Sequence, residues 1–263
     1  MKPILVGIDG SAAAVAAALW GIDEAITRGA PLRLVSVIKP THESPEEYER
    51  DVAHAEKSLL EARLAVEATN KGVSLETEVS RGPAGSVLVE ASSDAEMVCV
   101  GSVGIGRYAR SIVGSTATEL AEKAQCPVAV LRTGSDRPPP DINWIVVRMT
   151  DAPGNDAVVS FAAAEAKLRR APMLVLGGRA EELGEHADGA FERRVEQWRR
   201  HYPEVRVYPI TTRRAIAGYL SANDERVQLA VIGGDEAQQL AELVGPQGHP
   251  LFRHPECSVL VVR

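Results

Sequence analysis

Between residues 100 and 116 the chain reads Val100-Gly101-Ser102-Val103-Gly104-Ile105-Gly106-Arg107-Tyr108-Ala109-Arg110-Ser111-Ile112-Val113-Gly114-Ser115-Thr116. These are residue types that hold phosphate. Glycines let main-chain amides come close to an oxyanion. The first amides of a helix, with the hydroxyls of Ser115 and Thr116, can then bind its oxygens. The same residues also suit a left-handed turn that ends in an ordinary helix cap. Four glycines together with Gly114-Ser115-Thr116 favour phosphate. The run holds no GxxxxGK[ST], so it is not a Walker P-loop, and no lysine is placed to reach a terminal phosphate. Gly104 to Ala109 fits the looser GxGxxA dinucleotide pattern. However, it lies well before a helix cap, and the acidic residues about 20 positions on should close a strand. Here Glu119 and Glu122 read as helix. Arg107 and Arg110 suit either a γ-phosphate or solvent.

A second candidate is Gly7-Ile8-Asp9-Gly10-Ser11. A carboxylate at this point can accept hydrogen bonds from a ribose hydroxyl or an adenine amine. Asp9 suits equally well a turn that helps to cap the next helix. The remaining reactive residues carry less. His42, His54, His186, His201, His249 and His254 show no metal-ligand spacing. Cys99, Cys126 and Cys257 are few and far apart, which argues against a disulfide framework or a zinc site and fits a reducing cytoplasm. Buried, inert thiols are expected.

Both candidates need elements to position them. Strands are expected at Pro3–Ile8, Leu32–Ile38, Ser74–Val79, Met97–Val100 and Val128–Leu131. Helices are expected over Ala12–Arg28 behind a Ser11 cap, over Pro45–Asn70, from Gly82-Pro83 onward and from Ser115 onward. The charge run Glu46 to Asp51 reads as a solvated helix face. Alternating strands and helices imply an α/β fold, a doubly wound five-stranded parallel sheet with helices on both faces. The glycine loop follows the fourth strand and Asp9 follows the first. Open parallel sheets bind ligands at that carboxyl edge.

The pattern occurs twice. Glu24-Ala25-Ile26-Thr27-Arg28-Gly29-Ala30-Pro31-Leu32 returns as Glu165-Ala166-Lys167-Leu168-Arg169-Arg170-Ala171-Pro172-Met173. Gln125-Cys126-Pro127-Val128 to Arg132 returns as Glu256-Cys257-Ser258-Val259 to Arg263. Two tandem units are expected, over residues 1–133 and 143–263, joined by a Pro-rich linker at 134–142. The second unit's strands are expected at Trp144–Met149, Met173–Leu176, Val205–Tyr208, Leu229–Ile232 and Val259–Val262. In its second helix Phe191, Val195 and Trp198 share a core-facing stripe. The 263 residues, 45% apolar and 25% charged, suit two ordinary domains. No apolar run reaches the ~18–20 residues of a membrane span, and no signal peptide is read at the N-terminus. A net charge of −7 disfavours nucleic acid as a partner.

With these residues in place, the chain resembles the universal stress proteins, and specifically their tandem form, on an adenine-nucleotide α-hydrolase-like fold. The family signature is Gly, two residues, Gly, nine residues, Gly, then Ser or Thr. Gly101, Gly104, Gly114 and Ser115 match it without a gap. Asp9 corresponds to the family's early acidic residue, and Gly82-Pro83-Ala84 matches part of another element. The resemblance implies ATP, with Mg2+ accompanying its phosphates, along an edge formed by Gly7, Ile8, Asp9, Val37, Val100, Gly101, Ser102, Gly104, Gly114, Ser115 and Thr116. The glycine loop and Gly-Ser-Thr would hold the phosphates. Asp9 would touch the nucleoside, and backbone near Val37 and Val100 would line adenine.

The second unit departs from the pattern. Thr150 stands where Asp9 would, and Arg148 where Gly7 would. Glu236 replaces the second glycine, and Gly245-Pro246 replaces Gly-Ser. A carboxylate beside phosphates and a missing amide both oppose such a site. The expectation is a stress-responsive regulatory protein with one ATP site and a degenerate second unit. Nothing in the sequence places a general base, so at most slow hydrolysis is expected. The alternatives are an ATP-using enzyme of the same fold or a nucleotide-independent scaffold. The last strands, Val128–Leu131 and Val259–Val262, should lie at sheet edges and invite pairing of the two units about a pseudo-two-fold. A homodimer is compatible with this and is not demanded.

Overall fold

The computed structural model describes residues 1–103, 113–132, 143–177, 189–223, 226–244 and 257–263. Arg107, Arg110, Gly104, the Pro-rich segment 134–142, Gly245-Pro246 and three histidines (His186, His249, His254) lie outside the described residues. The chain divides into unit one, Met1–Thr133, and unit two, Gly134–Val262.

Unit one runs β1 (Ile4–Gly7), α1 (Ala12–Arg28), β2 (Leu32–Ile38), α2 (Pro45–Glu67), β3 (Leu75–Arg81), α3 (Ala84–Ala91), β4 (Met97–Gly101), α4 (Ser115–Lys123) and β5 (Val128–Leu131). The strands lie in the order β3-β2-β1-β4-β5, and every pair within the unit is parallel. The chain winds outward from β1 to β2 and β3, then crosses to β4 on the other side. The ends of β1 and β4 therefore flank the switch point where such sheets open a crevice. Ile4, Leu32, Leu34, Met97 and Val128 are fully buried, as a sheet covered on both faces requires.

The alanine content of α1 has a packing reason. Ala13, Ala14, Ala17, Ala18, Gly21 and Ala25 are buried along one stripe, so small side chains bring the helix close to the sheet. Ser11 caps it, with its Oγ accepting from the Ala14 amide at 3.1 Å. The helix ends on Gly29 at φ 64°, and the Ala30 amide bonds back to Ala25 O at 2.8 Å. In the last turn Glu24 is fully buried and pairs with Arg28.

Unit two runs β6 (Trp144–Met149), α5 (Asn155–Leu168), β7 (Met173–Gly177), α6 (Ala190–His201), β8 (Val207–Thr211), α7 (Ile216–Leu220), β9 (Val227–Gly233), a 3-10 segment (Gly234–Gln239), α8 (Leu240–Leu243) and β10 (Ser258–Val262). Its order, β8-β7-β6-β9-β10, is again wholly parallel and matches that of unit one. The repeat seen in the sequence is a structural device. Glu165 is buried and bonds Arg169 Nε at 2.9 Å. The Ala171 amide closes the helix on Ala166 O at 2.9 Å.

Several boundaries differ from the sequence reading by one to three residues, and in three of them the reason is visible. β8 begins two residues later than expected and runs through Pro209. A proline lacks the ladder donor, but β8 pairs with β7 on one side only, where that loss is tolerated. β3 extends to Arg81 because Ile38↔Arg81 pairing carries it on. α2 stops at Glu67, three residues short of Asn70, which takes φ 54°.

Arg170 occupies the helix-ending position that Gly29 fills in unit one, at φ 52°. A side chain in that region costs about 1–2 kcal/mol. Arg170→Gly is expected to stabilise unit two by about 1 kcal/mol, read as a higher urea midpoint at unchanged m-value. An unchanged or lower midpoint would contradict this account of the cap.

Candidate functional site

In unit one the site forms where β1 and β4 end. Val6 is in register with Cys99, so Gly7 and Val100 come side by side. A Cβ on Gly7 would stand 3.1 Å from both Val100 Cγ1 and Leu88 Cδ1. Ile8 is buried, and its amide extends the ladder to Val35 O at 2.8 Å. Asp9 then emerges exposed, and its Oδ1 accepts from the Ser11 amide at 3.0 Å. The turn role is thus present. The carboxylate's other oxygen makes no bond within the described residues. Val37 lies two positions beyond the Gly7↔Val35 pair, half-buried, on the part of β2 that outruns β1.

Two glycines of the signature do different things. A Cβ on Gly101 would meet Ala13 Cβ at 2.8 Å, Ala13 C at 2.9 Å and Ala14 N at 3.0 Å. The end of β4 therefore touches the first turn of α1, and only glycine permits that approach. Gly114 has no such reason. Its φ of −68° is ordinary, and the nearest described atom to a Cβ would be Ser102 O at 3.6 Å. Buried Ser102 links the two ends. Its amide bonds Leu131 O, and its carbonyl accepts from the Gly114 amide, both at 2.8 Å.

Gly114 is also the N-cap of α4 and offers no side-chain acceptor to the helix. The first-turn amides of α4 thus lack a side-chain cap, with exposed Ser115 and half-buried Thr116 beside them. Amides without a side-chain cap and two hydroxyls, with no described atom nearer than 3.6 Å to a Gly114 Cβ, are groups that can receive an anion. α4 is held by α3, where Gly85 leaves no room for a side chain against Glu119. The structure therefore brings Gly7, Val100, Gly101, Ser102 and Gly114 together. Asp9 lies two residues beyond Gly7, on the turn that leads into the α1 segment met by Gly101.

A further cluster was read only as a solvated face. At the end of β2, Lys39 Nζ bonds Glu47 at 3.1 Å, and His42 Nε2 bonds Asp51 at 3.1 Å. The His42 side chain is 5% exposed and meets the Tyr48 ring edge-on. Glu47 and Asp51, one helical turn apart, tie down the β2–α2 loop. Their i,i+4 spacing after a loop lysine and histidine was the available signal. The hydrogen bond to Glu47 holds the Lys39 ammonium above its ordinary pKa, and the Glu43 amide holds Glu47 below its own. The three cysteines are buried and form no disulfide, and burial pushes the Cys126 thiol up to about 11. Among the described residues no cluster of metal-ligand type forms, and no helix is long and apolar enough to cross a membrane.

Unit two has filled the matching edge with its own side chains. Asn155 accepts from the Thr150 amide at 2.8 Å and donates to Arg148 O at 2.9 Å. Arg194 of α6 binds Thr150 O, Asp151 and Asp156 at 2.8–2.9 Å. The ring of Phe191 lies where a Gly177 side chain would be. After β9 the chain turns at once into the 3-10 segment, where Glu236 accepts from Gln239 Nε2 at 3.0 Å. In α6, Val195 is buried while Trp198 stacks on Tyr202 with centroids 5.5 Å apart.

The Universal stress protein family model matches residues 1–132. Universal stress protein Rv2624c of Mycobacterium tuberculosis is 72% identical over 263 residues, covering 100% of this chain and 97% of the relative. The chain belongs to the universal stress protein family. Universal stress protein Rv3134c of the same organism is 37% identical over 276 residues, covering 100% of this chain and 96% of its own length. Among solved structures, a universal stress protein from Archaeoglobus fulgidus is similar over 100% of this chain and 96% of that one. Its TM-score is 0.71 at 15% identity, a likeness of fold.

The two glycines should separate experimentally. Gly101→Ala is expected to destabilise the protein by about 1–3 kcal/mol, because the added methyl meets backbone rather than a movable side chain. Gly114→Ala is expected to shift stability by no more than about 1 kcal/mol, the scale of a weakened N-cap. Urea unfolding of both variants checks this. Equal losses would refute the division of roles.

Proposed function

We propose that this universal stress protein binds one ATP, in unit one, and acts as a nucleotide-dependent regulator rather than as a catalyst. The observation that carries the reading is Gly114. Its lack of a side chain serves no packing or backbone need within the described residues. Among the described residues nothing but Ser102 O, at 3.6 Å, stands near the place of its Cβ, at a helix N-terminus without a side-chain cap. Phosphates, with Mg2+ accompanying them, would take the α4 amides, Ser115 and Thr116. Asp9, with one oxygen unused, would meet the nucleoside, and Val37 and Val100 would border adenine. Gly104 belongs to the same proposal through the sequence signature alone. In unit two, Arg194, Asn155 and Phe191 hold the corresponding edge, which supports a single site.

Titration calorimetry with ATP is expected to give a stoichiometry near one. ATP at about 100 times its Kd should stabilise the wild type by about 2.7 kcal/mol. Folded Gly114→Val should lose that stabilisation. Two equal sites, or full ATP stabilisation of the variant, would overturn the proposal. Analysis of the incubation mixture separates the alternatives. Rapid release of ADP or pyrophosphate would indicate an enzyme, and no bound nucleotide a scaffold.

The pairing of the two last strands is likewise proposed, from the edge-strand argument. With a protease site placed in 134–142, the cleaved halves are expected to co-elute on gel filtration. Separate elution of two folded halves would refute the pairing.

A further inference from the structure

Arg148 is the penultimate residue of β6, the strand at the switch point of unit two. It stands in register with Leu176 of β7, as Gly7 stands with Val35 in unit one. Where unit one closes the base of its crevice with a glycine against Leu88 and Val100, unit two carries a guanidinium. Around that position the core is apolar: Ile216, Leu220 and Ile232 are buried, and α7 packs on β6.

The Nε of Arg148 is buried and has no hydrogen-bond partner. Its nearest acidic neighbours in sequence are occupied, since Asp151 and Asp156 both pair with Arg194. Glu236 is engaged by Gln239, and Asp235 is exposed. No ion pair to Arg148 forms among the described residues. On the segment continuing from the adjacent strand β9, the Gln239 Oε1 is also buried without a donor. Arg148 is half-buried as a residue, but a buried donor left unpaired is costly, and in a native protein it is met by water or by an ion; a guanidinium is best met by an oxyanion.

The loop beside it is already built. Asn155 fixes Arg148 O and the Thr150 amide, and Arg194 fixes Thr150 O. Thr150 stands where unit one has Asp9, and the carboxylate next to it, Asp151, is neutralised by Arg194. We propose that unit two holds an oxyanion site centred on Arg148, which takes the phosphate or carboxylate group of a small metabolite. The ligand's charged end would enter at the strand ends. This is distinct from the ATP reading of unit one and does not depend on it.

The test uses the full chain at constant ionic strength, titrated with inorganic phosphate or with succinate against matched chloride. Melting temperature and equilibrium dialysis give the readouts. A saturable rise in Tm is expected with at least one of the two anions, and the one that saturates identifies the chemistry. In the Gly114→Val background the effect should vanish on Arg148→Met and weaken at least tenfold on Arg148→Lys, which keeps the charge but loses the Nε donor and the planar fork. It should persist in Gly114→Val, which removes any contribution from the α4 corner. Should Arg148→Met fail to fold, the Arg148 Nε–H resonance of the wild type, assigned by its absence in Arg148→Lys, must shift on adding the anion. A Tm that merely follows ionic strength, binding unchanged by Arg148→Met in the Gly114→Val background, or loss of the effect in Gly114→Val would each overturn the proposal.

Discussion

The contact on which unit one turns is the meeting of a strand end with a helix start. β4 ends at Gly101 against the backbone of Ala13 and Ala14, closer than any side chain would allow. That approach holds the first turn of α1 against the end of β4, and the Asp9 carboxylate is tied to the same turn through the Ser11 amide. From Gly101 the chain passes through buried Ser102, whose carbonyl fixes Gly114 and so the start of α4. A methyl group at residue 101 would act on the whole corner at once. Packing of the corner therefore runs through one glycine, Gly101, while no described atom comes closer than 3.6 Å to the place of a Gly114 side chain.

The core and the edge of each unit obey different constraints. Buried Glu24 and Glu165 pair with the partly exposed Arg28 and Arg169 one turn on and close equivalent helices. The Ala-Pro turn that follows sets the next strand in register. These features repeat because both sheets need them. The strand ends are under no such demand, since loops leaving a parallel sheet satisfy their own polar groups in several ways. Unit one leaves amides open at α4. Unit two instead binds its loop from within, through Asn155 and Arg194.

The architecture was legible in the sequence because parallel sheets covered on both faces write themselves as short apolar runs between amphipathic stretches. β1, β2, β4 and the alanine stripe of α1 are of this kind. β3 and β8 were read less well because edge strands are half-exposed and tolerate Glu76, Glu78 and Pro209. Of the candidate site, glycine spacing marked Gly101 and Gly114 alike. It carried no sign that one serves packing and the other leaves space, since that depends on what stands opposite each. The inward turn of Glu47 and Asp51, and the reach of Arg194 from α6 to β6, depend on tertiary placement. A charge run does not encode which of its members leave solvent.

Arg148 extends the contrast between the two units from geometry to charge. At the end of the central strand unit one has Gly7 followed by Asp9, a small floor beside a carboxylate acceptor. Unit two has Arg148 followed by Thr150, a guanidinium donor with no carboxylate two residues on. Of the carboxylates at that edge, Asp151 and Asp156 are both paired with Arg194. The residues at equivalent strand ends thus differ in charge from unit to unit, while the sheet beneath keeps its order and register.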